Sequence, residues 1–189
     1  MNDTPGNGAA PTADQQQNAP LMINGQYVKD LSFEAPNSPG ILAELQNTQP
    51  EVSINVDVKA GKIEGQPTDN MFEVVLDVKS ELKLEGKVGF IAELQYAGLF
   101  TLNVPEEHLT AMLLIECPRI LFPFARNILA DTTRDGGFVP LFLQPLDFAA
   151  MYQANLQNQA AQLDQDVAGM VADQAKDQAK GKAKVKDKK

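Results

Sequence analysis

Residues 72–96 read FEVVLDVKSELKLEGKVGFIAELQY, and this stretch decides the fold. Apolar and polar side chains alternate along both of its halves, which is the period of two expected of a strand with one buried face. Between the halves, Glu85-Gly86-Lys87 predicts a tight turn. Strands joined by so short a turn pair antiparallel, because a parallel pair needs a long crossover connection. The stretch therefore predicts an antiparallel hairpin.

Two earlier segments show the same alternation and predict two further strands. Residues 52–59 carry valine or isoleucine at every even position. In residues 26–34, the pattern predicts that Tyr27, Leu31 and Phe33 point to one face of the strand. The other face of that strand then carries a mainly polar set: Val28, Asp30, Ser32 and Glu34. The short connections favour a four-stranded antiparallel sheet with a meander-like order.

Helical patterns follow the strands. Pro105 and the two glutamates after it predict the start of one helix. Pro118 predicts the start of a second helix, and Gly136-Gly137 predicts its end. Asp147 is a suitable N-cap for a last helix. Strands followed by helices are typical of an α+β fold, here with the helices packed on one face of the sheet.

The two ends of the chain differ in composition from its middle. Residues 1–23 are predicted to be a disordered extension, 24–161 a folded domain, and 162–189 a polar, Lys-rich disordered tail. Residues 171–189 hold seven Lys and three Asp, so the net charge of −9 becomes −13 over residues 1–170. Nucleic-acid binding needs clustered basic residues, so an acidic body favours basic partners instead.

Residues suited to catalysis or metal binding are scarce. The chain has one histidine, His108, and one cysteine, Cys117, too few for a His/Cys zinc site. It has no phosphate-binding loop and no nucleophile-elbow motif. We therefore predict that the protein is not an enzyme, binds no metal or cofactor and buries an inert Cys117. The alternative is an enzyme whose activity would be lost on substitution of His108 or Cys117.

The predicted location is the cytoplasm. A single cysteine excludes an intramolecular disulfide, which favours a reducing compartment. The polar N-terminal residues contain no signal-peptide core. The longest apolar stretch, residues 111–125, is shorter than the about 20 residues of a membrane span, so no direct membrane insertion is predicted.

Two surfaces remain as candidates for function. Asp30 and Glu34 share one strand face, and Glu93 accompanies the apolar Ile91 on the fourth strand. An acidic patch around one apolar residue suits a basic peptide or a Lys/Arg-rich metal module. Its alternative role is to keep a sheet face hydrated. The second surface is the helix after Pro118, which is apolar on more than one side and so implies a subunit partner.

Three motifs resemble the SecB family of protein-export chaperones. They are YVKDLSFEAPN at residues 27–37, ILFPFAR at residues 120–126 and the crossing from Gly137 to Phe148. The resemblance covers residues 26–158. It implies a homotetramer, built as a dimer of dimers, that binds unfolded precursor proteins and keeps them translocation-competent. It further implies delivery to the motor ATPase SecA without use of ATP.

The resemblance also implies roles for individual residues. The SecA-binding positions are Asp30, Glu34, Ile91 and Glu93. The positions linked to the subunit interface are Phe90, Ala92, Leu94 and Tyr96. For the client-binding groove we predict aromatic residues near the sheet–helix junction, namely Phe100, Phe138, Phe142 and Tyr152. The alternative function is a solo chaperone of the same fold that serves a toxin–antitoxin partner.

Overall fold

The computed structural model describes residues 19–65 and 70–158. Its four strands form one antiparallel sheet, and they are β1 Leu21–Glu34, β2 Glu51–Lys62, β3 Met71–Leu84 and β4 Lys87–Leu102. A short helix, α1 Gly40–Glu44, lies between β1 and β2. β1 begins inside the region predicted to be disordered, which ran to residue 23. The disorder predicted for residues 1–18 and for 162–189 lies outside the described residues.

The strand order is β1-β4-β3-β2. The antiparallel α+β fold is confirmed, and β2, β3 and β4 form the predicted meander. β1 departs from that order, because it pairs with β4 and not with β2. The connection through residues 35–50 is long enough to carry the chain from one edge of the sheet to the other. The result is a Greek-key order of strands.

A β-bulge corrects the predicted faces of β1. The pairing passes from Val28 opposite Tyr96 directly to Asp30 opposite Gln95, so Lys29 is an extra residue. Such an insertion shifts the alternation of side chains by one position. Leu31 is therefore on the same face as Val28, and Tyr27 is on the face of Asp30. The prediction for Tyr27 and Val28 was wrong, because an uninterrupted strand was assumed.

The predicted break between the first two helices was also wrong. α2 Glu106–Ala111 continues through a π-helical turn, Met112–Glu116, into α3 Cys117–Asp135. Within the turn, the amide of Cys117 donates to the carbonyl of Met112, five residues earlier. A wide turn of this kind accommodates Pro118 without ending the helix. The predicted end is confirmed, since Gly136 caps α3 and Gly137 has a positive φ of 87°.

The continuous helix Glu106–Asp135 contains an 18-residue window with a mean hydropathy of 1.3, so by length and composition it is apolar enough to cross a membrane. The apolar stretch 111–125, which Glu116, Pro118 and Arg119 interrupt, is shorter than this helix, because the helix continues beyond it on both sides. A core helix of a soluble protein has the same properties. Only 28% of the most apolar window of this helix is buried by its own chain. Much apolar helix surface is thus left uncovered in a single subunit.

The core lies between α3 and one face of the sheet, which we call the inner face. The even-numbered residues of β3 and β4 form most of it, with Leu76, Leu94 and Phe100 fully buried. At one end, Phe33 packs against Phe90 and Phe138 at ring-centroid distances of 5.7 and 6.1 Å. These apolar contacts stabilise the packing on the inner face. The opposite face of the sheet, which we call the outer face, is not covered by α3.

The last helix, α4, comprises residues 148–158 of the described part of the chain. Asp147 directly precedes it, at the predicted N-cap position. Of the described residues, 149–158 fall in a second unit of the chain, separate from the unit that contains the sheet.

Candidate functional site

The four predicted SecA-binding residues come together on the outer face. In the pairing of β1 with β4, Glu34 is opposite Ile91, and Ser32 is opposite Glu93. Asp30 lies two residues before Ser32, on the same side. The bulge at Lys29 contributes to this arrangement, because it brings Asp30 to the outer face while Val28 stays on the inner face. The structure thus supplies one contiguous acidic surface, whose partner stays a prediction.

Four carboxylates on the outer face, including that of Glu93, form ion pairs with lysines. Nζ–carboxylate distances are 2.7 Å for Lys29–Glu73, 2.7 Å for Lys59–Asp77, 3.1 Å for Lys79–Glu93 and 2.8 Å for Lys83–Glu81. The hydrogen bond from Lys29, followed by that from Tyr27, holds the pKa of Glu73 below its usual range.

Asp30 and Glu34 differ from those neighbours. Within residues 19–65 and 70–158, neither carboxylate forms an ion pair. Both residues are exposed. Their negative charge is consequently available to a basic partner.

The outer face has a depression beside these residues. It has a volume of about 340 Å³, and Ile91 and Glu93 form part of its wall. Polar side chains of the neighbouring strands complete the wall, among them Ser53, Asn55 and Lys79. Ile91 therefore offers apolar surface within a polar rim, which is the arrangement common in protein interfaces.

The structure does not support direct subunit contact by Phe90, Ala92, Leu94 and Tyr96. All four lie on the inner face and are already buried by their own chain. Phe90 is only 1% exposed, and Ala92 and Leu94 are fully covered. The sequence pattern placed them correctly on one face, but it could not show that α3 covers that face. Any influence of these residues on assembly must therefore pass through the residues that cover them, such as Phe124 over Tyr96 and Phe138 over Phe90.

The predicted client groove needs a similar correction. Phe100 is fully buried and Phe138 is 6% exposed, so both belong to the core. Phe142, on the crossing after α3, is 61% exposed and stays a candidate. Tyr152 lies in α4 and is half-buried.

Two further apolar residues are exposed, of which the sequence pattern indicated only Phe124. Phe124 on α3 is 50% exposed and stacks on Tyr96, and Val139 is 86% exposed. The signal for Phe124 was its position between Pro123 and Ala125 in a helix that is apolar on several sides. Exposure of Val139 had no comparable signal, because a valine between Phe138 and Pro140 fits a buried crossing equally well.

Phe142 lies beside a cationic side chain and a depression in the surface. The guanidinium carbon of Arg126 lies 5.9 Å from the centroid of its ring, a distance suited to a cation–π interaction. Pro123, Arg126, Asn127 and Phe142 line a depression of about 210 Å³. An aromatic ring at the mouth of such a depression can accept apolar side chains of many shapes.

The two residues best suited to nucleophilic chemistry are far apart. His108 is exposed on α2, whereas Cys117 is fully buried. Nine residues of helix separate them, a rise of about 13 Å along the axis. Burial, and to a lesser degree the charge of Glu116, raises the pKa of the Cys117 thiol to about 12. The thiolate is therefore scarce at neutral pH, and no Cys–His pair is formed.

Comparison with known proteins identifies the family. The family model described as preprotein translocase subunit SecB matches residues 14–159. The protein-export protein SecB of Rhodospirillum rubrum is 60% identical over 149 residues, covering 79% of this chain and 88% of the relative. The SecB of Paramagnetospirillum magneticum is 55% identical over 145 residues, covering 77% of this chain and 91% of the relative.

A solved structure shares the fold at low sequence identity. The SecB-like chaperone of Mycobacterium tuberculosis, in complex with a peptide from the HigA1 antitoxin, aligns with a TM-score of 0.51 and 19% identity. The alignment covers 69% of this chain and 94% of that one. Because the identity is so low, this likeness concerns the fold alone. The family model and the two export proteins, in contrast, match most of the chain, which therefore belongs to the SecB family.

Proposed function

We propose that this chain is a chaperone of protein export that holds unfolded precursor proteins in the cytoplasm and delivers them to SecA. Relatives that are 60% and 55% identical are named protein-export proteins, which supports the export role. The proposed mechanism needs no ATP, because binding an unfolded chain by mass action is enough to slow its folding. The antitoxin-bound neighbour supports a toxin–antitoxin client less well, since only its fold is shared.

The observation that carries the SecA assignment is the pair of unneutralised carboxylates, Asp30 and Glu34, beside Ile91. Lysines compensate Glu73, Glu81 and Glu93 on the same face, whereas Asp30 and Glu34 at the β1 edge form no ion pair within the described residues. Such a pair of exposed carboxylates attracts a basic partner and raises its rate of association. Contact with Ile91 would then add apolar burial to the electrostatic attraction.

Charge reversal by Glu34→Lys should weaken SecA binding by about tenfold or more at low ionic strength, because attraction becomes repulsion. The difference in SecA affinity between Glu34→Lys and the original protein should become smaller as salt is added, since salt screens surface charges. The affinity can be measured by surface plasmon resonance at two or three salt concentrations. Glu106→Lys is the matched control, because it makes the same charge change on α2, away from the sheet. Equal binding by Glu34→Lys and the control would contradict the SecA assignment.

For client binding, we propose a corrected surface around Phe142. Its exposed ring, the adjoining depression and the guanidinium of Arg126 combine apolar contact with a cationic rim. Phe100 and Phe138 are left out because they are buried. Unfolded chains expose apolar side chains in no fixed order, so an adaptable aromatic surface suits them better than a shaped pocket.

We also propose the homotetramer, a dimer of dimers. Support comes from the continuous helix, whose most apolar window is only 28% buried by its own chain. Exposed Phe124 and half-covered Ile120 and Ile128 lie along α3. A second subunit packed on this helix would cover these apolar side chains, as is typical of obligate interfaces.

Phe142→Ser should reduce the affinity for an unfolded, reduced precursor by about thirtyfold, because burial of a Phe side chain contributes roughly 2 kcal/mol. Size-exclusion chromatography with light scattering, without nucleotide, measures both the native mass and the bound client. A native mass of about four subunits is expected in the variant and in the original protein. Val139→Ser, at a residue outside the depression, is the control. Unchanged client affinity in Phe142→Ser would refute this client surface.

A further inference from the structure

Glu73 of β3 binds two residues of β1 across the intervening strand. Lys29 Nζ lies 2.9 Å from Glu73 Oε1 and 2.7 Å from Oε2, and the Tyr27 hydroxyl donates to Oε1. β4 lies between the two strands, and its small Ala97 is opposite Tyr27. Glu73 is opposite Leu99 of β4, two residues further along, so its contact with Tyr27 runs diagonally across β4. One carboxylate thus connects the edge strand to the third strand of the sheet.

Glu73 binds the extra residue of the β-bulge and a residue just before it. Lys29 is the extra residue, and Tyr27 lies two residues before it. On a regular strand, Tyr27 and Asp30 would lie on opposite faces, because they are three positions apart and side chains alternate between the faces. The bulge brings both to the outer face. Where the bulge forms therefore decides which face Asp30 occupies.

The other half of the acidic pair is held in a different way. Glu34 follows Phe33, whose ring packs against Phe90 and Phe138 in the core. A Cβ atom at Gly136 would lie only 2.3 Å from the Phe33 ring, which shows how closely this ring is enclosed. The face of Glu34 is thus set by apolar packing. Asp30 lacks such an anchor and directly follows the bulge.

We propose that Glu73 is a positioning residue for the partner-binding surface, which holds the bulge through Lys29 and Tyr27 and so presents Asp30 on the outer face. This inference rests on the proposed SecA surface. Glu73 itself forms no part of the contact with the partner in this proposal. Its carboxylate acts on binding through Asp30 and leaves Glu34 unaffected.

The ionisation of the cluster agrees with this role. Lys29, and then Tyr27, lower the pKa of Glu73 by donating hydrogen bonds to its carboxylate. The same bond to Glu73 raises the pKa of Tyr27. The ionised carboxylate and the protonated phenol therefore stabilise each other at neutral pH.

A double-mutant cycle on SecA affinity tests the proposal. Glu73→Ala alone should weaken binding by about threefold to tenfold, within the usual range of coupling between neighbouring residues. In an Asp30→Asn background, Glu73→Ala should have no further effect, whereas in a Glu34→Gln background its full effect should persist. Glu73→Gln keeps an acceptor oxygen without the charge, so it should retain part of the affinity that Glu73→Ala loses.

Glu44→Ala is the matched control. It removes one ion-paired carboxylate from α1, with Lys87 as the partner at 2.9 Å, and it leaves the bulge intact. Its effect should be equal in the Asp30→Asn and Glu34→Gln backgrounds. If Glu73→Ala behaves in the same way as Glu44→Ala, Glu73 contributes only charge and the positioning role is refuted.

Amide hydrogen exchange, measured without any partner, separates this inference from the proposed function. Glu73→Ala should speed exchange at residues 27–30 while residues 31–34 keep their protection. Unchanged exchange at 27–30 would overturn the positioning role, whatever SecA does. A second outcome is that exchange changes as expected but neither Asp30→Asn nor Glu34→Gln weakens SecA binding. The proposed SecA surface would then be wrong, whereas the conclusion that Glu73 holds the bulge would remain valid.

Discussion

Replacing Phe90 by alanine is expected to lower the free energy of unfolding by about 3–5 kcal/mol, the usual loss for a buried phenylalanine. The ring is 1% exposed and lies between those of Phe33 and Phe138, at centroid distances of 5.7 and 5.1 Å. Alanine would leave a cavity and remove two aromatic contacts. Urea denaturation followed by circular dichroism measures the loss.

The same substitution at Phe142 is the control, because its ring is 61% exposed. Phe142→Ala should change the free energy of unfolding by about 0.5 kcal/mol or less. Unfolding should be recorded at two protein concentrations, since the stability of an oligomer depends on concentration. If Phe90→Ala changed the native mass with little loss of stability, Phe90 would be a subunit contact after all, against its burial in the core.

The second large effect is expected at Gly98 of β4. A Cβ atom there would lie 2.6 Å from Cε2 of Phe100 and 2.8 Å from Cδ2 of Leu121. Both neighbours are fully buried, so neither can move aside without disturbing the core. Gly98→Ala should therefore lower the free energy of unfolding by about 1–3 kcal/mol, the range for overpacked cores.

Gly61→Ala in β2 is the control for Gly98→Ala. It is also a strand glycine, and a Cβ atom at this position meets nothing within 4 Å. Alanine restricts the unfolded chain more than glycine does, so this variant should be neutral or slightly more stable. Thermal unfolding of the two variants side by side gives the comparison. Equal stability of the two would mean that α3 does not press against β4 at Gly98.

The family could be recognised from the sequence because its motifs are continuous segments. The runs at residues 27–37 and 120–126 need no knowledge of distant contacts, and the family match over residues 14–159 confirms the resemblance. The acidic surface was predicted in the same way, and its four residues do lie on one face. The client groove was predicted less well, because Phe100 and Phe142 are the same residue type in opposite environments.

The sequence by itself determined the features that depend on neighbouring residues. Alternation in residues 72–96 specifies β3, β4 and the hairpin between them, and Gly136-Gly137 ends α3, because strand parity and helix capping are local effects. Only the tertiary structure decided that β1 lies beside β4 and that Phe33 and Phe138 pack against Phe90. It also decided the bulge at Lys29, whose side chain binds Glu73, 44 residues away in the sequence. The alternation of side chains shows which residues share a face of an unbroken strand. Which element covers that face, and where the alternation shifts, depends on contacts between segments far apart in the chain.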